Sequence, residues 1–276
     1  GDELYVFGGH KGDAHSYSVE EQYNTLLRLK HNSQGKWSEV ATGPHMQGLA
    51  MVAHDGKLYR VGGFSAQNKA GEEHVLVSQD DVASYDPAKK AWTELPPLPE
   101  PRSSHDAALI GDKLYVAGGW KLAGKDESKW HDTAYVMDLS AAEPKWQALP
   151  QPGFQRRALA LAAHDGKLYV IGGMQREGGP TTKVSIFDPK NDRWGEGPSL
   201  QGDPMEGFGA SAFEVDGKLY VSTIHGRLQR LSSDGSKWDV VEELESPRFF
   251  HRMLPYQNQL LMVGGASIRV GQFTHL

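Results

Sequence analysis

Arg102, Arg156 and Arg248 stand at equivalent places in a recurring pattern, each twelve residues ahead of a short apolar run. Met46 and Gly207 hold the same place in two further copies. Guanidinium groups at equivalent positions would converge on one rim, and they suit a carboxylate or phosphate because they can hold it bidentately. Arg157 and Arg252 lie close by in sequence. The alternative is that such arginines brace neighbouring loops. Three residues beyond each rim position come Leu49, His105, Leu159, Ala210 and His251. His105 and His251 thus sit at matched depth and read either as a general base with its partner, or as strand histidines with satisfied ring nitrogens. Glu206, on the same rim, is the acid placed nearest the arginines.

Trp120, Trp130 and His131 share one variable segment, and His10 and His15 share another. Two tryptophans in one loop suggest a stacking platform for a sugar or peptide, or a cap over the loop's own small core. No carboxylate stands with the histidines at metal-ligand spacing, so no metal and no cofactor is expected. HExxH, GxSxG and a phosphate-binding glycine loop are all absent.

The apolar runs that index these positions are LYVFGG from Leu4, LYRVGG from Leu58, LYVAGG from Leu114, LYVIGG from Leu168, LYVSTI from Leu219 and LLMVGG from Leu260. The first five are followed by Trp37, Trp92, Trp146, Trp194 and Trp238. Between run and tryptophan lies YDP, FDP or MDL, at Tyr85, Phe187 and Met137. Each unit therefore reads as four short strands, a to d. An Asp-Gly or Gly-Asp turn joins a to b, as at Asp55, Asp165 and Asp216, because a primed turn needs positive φ. Strand b is apolar almost throughout, as expected of a strand covered on both faces. No helical periodicity of useful length is present, so the chain reads as all-β.

Four-stranded units at this spacing form propeller blades, since one unit alone cannot bury both its faces. The glycine doublet, the Tyr-Asp pair, the tryptophan and "LPPLPEPR" (Leu95–Arg102) together resemble the kelch repeat, over nearly the whole chain. The resemblance implies a six-bladed kelch β-propeller forming a single domain over residues 1–276. Its blades fall at about 1–44, 45–100, 101–152, 153–201, 202–246 and 247–276, the first and last incomplete. The first lacks strand a and the last lacks strand d. Both absences would be met by a segment of about twenty residues before Gly1 that closes the ring, with Gly1–Asp2 as the second half of an a–b turn. The last unit ends in a c-like stretch, SIRVGQFTHL, with no tryptophan strand d.

The 276 residues include 32 glycines and no cysteine, and the formal net charge is −6. Without cysteine there is no disulfide, thiolate nucleophile or thiolate metal site. It also excludes the mechanism of galactose oxidase, a copper enzyme with kelch repeats whose redox centre needs a cysteine crosslinked to tyrosine. The net acidity excludes a general nucleic-acid binder, and no apolar run is long enough to span a membrane.

Function is expected on the face carrying the long, dissimilar b–c loops and the d–a loops. The reading is of a monomeric, non-catalytic module that binds an anionic sugar or an acidic peptide or protein at that arginine-lined face. The rival is an enzyme similar to the bacterial kelch sialic acid mutarotases, acting without metal on a carboxylated sugar. The absent cysteines and the start at Gly1 lean towards an exported bacterial protein.

Overall fold

The computed structural model describes residues 3–11, 15–30, 35–256, 259–269 and 272–275. Its described residues form β-strands and two short 3-10 turns, Val19–Glu21 and Pro204–Gly207. Among them, no helix is long and apolar enough to cross a membrane. Contacts group the chain into two compact units. The first holds residues 1–103, 121–129 and 256–260, and the second holds 104–120, 130–255 and 261–276.

The second unit contains three complete four-stranded antiparallel meanders, with the strands of each in chain order. They run over Asp106–Ala148, Ala160–Gly197 and Ser211–Glu243. Their first strands pack side by side. The Leu-Tyr run is the second strand of each sheet and is buried as expected, with Leu114, Leu168 and Leu219 wholly inaccessible. The Asp-Gly turns behave as predicted: Asp165–Gly166 and Asp216–Gly217 all have positive φ. The tryptophan of strand d has a consistent role too. Trp194 Nε1 donates to the Pro150 carbonyl (2.7 Å) and Trp238 Nε1 to that of Pro198 (2.9 Å). Each indole therefore buries its body while its N–H finds a partner at the end of the preceding repeat. The aspartate of YDP or FDP closes the c–d turn, as where Asp188 Oδ1 accepts from Lys190 N–H at 2.9 Å.

In the first unit, Ala50–Glu94 forms a fourth complete meander. Among the described residues, Glu3–Phe7, Thr25–Lys30 and Trp37–Thr42 form a three-stranded sheet. Gly1–Asp2 lie outside the described residues. Two expectations are corrected. The long segments after the second and third doublets are not plain loops: Phe64–Ala66 and Leu76–Ser78 pair with Trp120–Ala123 and Asp126–Trp130 in a separate four-stranded sheet. The Ser78 hydroxyl pins it by accepting from Leu122 N–H at 2.9 Å. The C-terminal stretch is not one strand but a hairpin of Ala266–Arg269 with Gln272–His275.

The glycine doublets latch the repeats together. Both glycines of each have positive φ, at 8–9, 62–63, 118–119, 172–173 and 264–265. The second glycine donates its N–H to the rim residue of the next repeat. Gly9 reaches Met46 and Gly63 reaches Arg102 in the first unit, while Gly119 reaches Arg156 and Gly173 reaches Gly207 in the second, at 2.7–2.9 Å. At Gly207 the approach is so close that a Cβ would fall 1.8 Å from the Thr181 carbonyl oxygen.

Candidate functional site

The rim position proves to be a backbone joint first and a side-chain position second. Two residues past it the chain turns left-handed in all five repeats that have a rim position, at Gly48, Ser104, Ala158, Gly209 and Phe250, with φ between 52° and 61°. In the second unit these residues are strung together. Ala158 donates to the Ser104 carbonyl (2.7 Å), Gly209 to Ala158 (2.9 Å) and Phe250 to Gly209 (2.8 Å).

The arginines divide by burial. Arg156 is 2% exposed, and its guanidinium donates to the carbonyls of Gly172 (2.9 Å) and Lys183 (2.8 Å) and to Ser185 Oγ (2.7 Å), with the Phe154 ring 4.2 Å away. Desolvation pushes it down to about 10. Its three donated bonds tie the joint to the chain at Gly172, Lys183 and Ser185. Arg102, in the first unit, is fully buried near the Glu100 carboxylate. Arg248 donates to Gly264 O at 3.0 Å, the bond Arg156 makes to Gly172, but it is only partly buried. Arg252 pairs with buried Asp106 at 2.9 Å and keeps nearly half its side chain exposed. Asp106 is fixed in turn, since its Oδ2 accepts from Leu161 N–H at 3.0 Å.

Arg248, Phe250 and Arg252 occupy alternate positions along the d–a joint of the last repeat. Phe250 is 54% exposed although it sits at φ 55°, where bulky residues are rare. Its ring lies 5.1 Å from that of Phe208 and 4.9 Å from that of Phe249. Both arginines act on His251 between them. Burial first, then the two positive charges, push its imidazole down to about 4. His251 is thus neutral at physiological pH, with Nε2 hydrogen-bonded to Ser222 Oγ at 2.5 Å. Ser222 and His251 are both buried, and among the described residues no carboxylate orients Nδ1, so the pair reads as a packed strand contact rather than a nucleophile with its base. His105 is likewise buried.

Trp120 and Trp130 meet edge to face at 5.6 Å, and the Arg157 guanidinium lies 4.2 Å from the Trp120 ring centroid and 5.3 Å from that of Trp130. Both rings are half-buried, and His131 beside them is buried. The Arg157 guanidinium thus makes a cation–π contact with both rings.

Glu206 is brought together with residues that sequence reading passed over. Its Oε1 accepts from Arg227 at 2.8 Å and lies 3.1 Å from His225 Nδ1. Asp203 is adjacent. His225 and Arg227 follow the degenerate LYVSTI run, where the missing glycine doublet was the only signal. A polar cleft of about 780 Å³ also opens in this unit, with Phe154, Gln155, Gln175, Arg176, Lys183 and Glu196 among its lining.

Comparison with known proteins bears on this geometry. The family model for the KLHDC2/KLHL20/DRC7 Kelch-repeats domain matches residues 1–226. Kelch-like protein 35 of Mus musculus is 28% identical over 79% of this chain and 32% of its own length. Kelch-like protein terF of Aspergillus terreus is 24% identical over 97% of the chain and 60% of its own length. The chain thus spans about a third of the mouse relative and three-fifths of the fungal one. N-acetylneuraminate epimerase of Haemophilus influenzae is 27% identical, covering 97% of this chain and 84% of the relative. The solved structure of YjhT superposes with a TM-score of 0.73 at 17% identity, over 100% of this chain and 94% of that one.

Proposed function

This chain belongs to the kelch-repeat β-propeller family, and on that premise we propose that it is a binding module for an anionic ligand, an acidic peptide or a carboxylated sugar. The ligand would be held at the strip Arg248–Phe250–Arg252. The observation that carries this reading is Phe250. Its counterparts are Gly48, Ser104, Ala158 and Gly209, yet here an aromatic ring is held in a strained conformation and left exposed. Strain retained at an exposed position points to a task other than packing. Flanking guanidiniums supply the affinity for carboxylate and the ring supplies apolar contact. The relatives named kelch-like proteins favour this reading.

The test is calorimetric titration with a short oligoglutamate peptide and with N-acetylneuraminic acid. Arg252→Ala and Phe250→Gly should each weaken binding about tenfold, the loss of one charge-assisted contact. Unchanged affinity in both variants would overturn the assignment.

A second reading, a metal-independent enzyme on a carboxylated sugar, is favoured by the extent of the epimerase match, which spans most of both chains. Its check is proton NMR of anomerically pure N-acetylneuraminic acid with and without the protein. Anomer exchange faster than the spontaneous rate would favour the enzyme, and an unchanged rate the binding module.

A further inference from the structure

Asp203, Glu206 and His225 lie in the second unit, away from the strip just described in sequence, and each offers one donor atom within 4.8 Å of the other two. We propose that these three side chains form a binding site for a divalent transition-metal ion of the zinc or manganese class. The local chain sets the donors in place. Asp203 caps the turn Pro204–Gly207 through Oδ1, which accepts from Met205 N–H at 2.8 Å. That leaves Oδ2 turned towards His225 Nδ1, 3.8 Å away. Glu206 belongs to the same turn, and its Oε1 is 3.1 Å from the same nitrogen. Ligand atoms on an ion with bonds of about 2.1 Å stand about 3.0–3.4 Å apart, so small side-chain adjustments would close the triad. One imidazole nitrogen with two carboxylates suits zinc, manganese or cobalt better than calcium or magnesium, which favour all-oxygen shells.

A second observation points the same way. The Glu206 side chain is 1% exposed, and its Oε2 has no hydrogen-bond partner among the described residues. A buried carboxylate oxygen without a partner is strongly unfavourable, and Arg227 reaches only Oε1. Asp203 and Glu206 bring two negative charges against the one positive charge of Arg227, leaving a net negative cluster. The carboxylate is also well held. Gly202, at φ 108°, lets the backbone pass so close that a Cβ there would fall 2.5 Å from Arg227 Nη1 and 2.7 Å from Glu206 Cγ. His225 is half-exposed, which opens the cluster to solvent ions.

The test uses the whole protein with zinc(II), manganese(II) and cobalt(II) salts in a non-coordinating buffer. Calorimetry should show one ion bound per chain, and cobalt(II) should develop a visible ligand-field band. His225→Ala and Glu206→Gln should each weaken binding about tenfold or more, with far-UV dichroism confirming the fold. Should Glu206→Gln fail to fold, His225→Ala, at a half-exposed position, decides alone. The proposal is overturned if wild-type protein takes up no stoichiometric ion, or if His225→Ala binds as tightly as wild type.

Discussion

Phe250 is held in a conformation where glycine would be comfortable, and the consequence is measurable. Phe250→Ala removes the ring but keeps the strained backbone, whereas Phe250→Gly removes both. The glycine variant should therefore be the more stable by about 1 kcal/mol, read from urea unfolding midpoints, while both lose ligand. Arg156 gives the opposite pattern. Arg156→Ala removes three hydrogen bonds, and the Gly172 carbonyl and Ser185 Oγ lose that donor while the Lys183 carbonyl keeps the one from Gly172 N–H, so a loss of about 2–3 kcal/mol is expected with anion affinity unchanged. Arg156→Lys should rescue little, because the planar fork is what matches three acceptors. His251 fixes a pH window. Its folded-state value, about 4, lies below the ordinary 6.5, so the unfolded chain takes up a proton that the folded chain refuses. Stability present above pH 6.5 falls as pH drops towards 4, by about 3 kcal/mol in all. His251→Asn should flatten the difference in unfolding free energy across that window.

At the scale of elements, most of the repeat was legible because its determinants are local. Asp-Gly fixes a turn, a near-continuous apolar run with Leu-Tyr fixes strand b, and Trp with Asp-Pro marks the c–d hairpin. What stayed hidden was non-local or directional. The insertions Phe64–Ser78 and Trp120–Trp130 pair with each other across more than forty residues, and strands of three to five residues carry too little pattern to announce such a partner. Glu206 was visible as an acid on the rim, but His225 and Arg227 come to it from another loop. An arginine also reads the same whether it braces a carbonyl, as Arg156 does, or faces solvent, as Arg252 partly does. Carbonyls contributed by later residues decide between the two. The close approach at Gly207 belongs to this scale as well. Gly207→Ala should cost several kcal/mol, against about 1 kcal/mol for Gly56→Ala, where φ is positive but nothing lies within 4 Å. Thermal melts of the pair would separate crowding from backbone strain.

For the whole molecule, the formal charge of −6 opposes the approach of an anion that the local arginine strip attracts. If the strip dominates, binding of an oligoglutamate peptide should weaken as salt rises from about 0.05 M to about 0.5 M, because screening removes the nearer attraction. Stronger binding at high salt would show that the bulk charge governs instead.

The left-handed joint that links Ser104, Ala158, Gly209 and Phe250 is made wholly of main-chain groups. Its bonds therefore need no particular side chain, although the positive φ favours glycine. A serine, an alanine, a glycine and a phenylalanine all complete it. The bonded joint is thus kept while the side chain varies, but a ring placed there reaches the preceding repeat: a Cβ at Gly209 would meet the Phe250 ring at 2.8 Å, so a large side chain at one joint requires a small one at the joint before it.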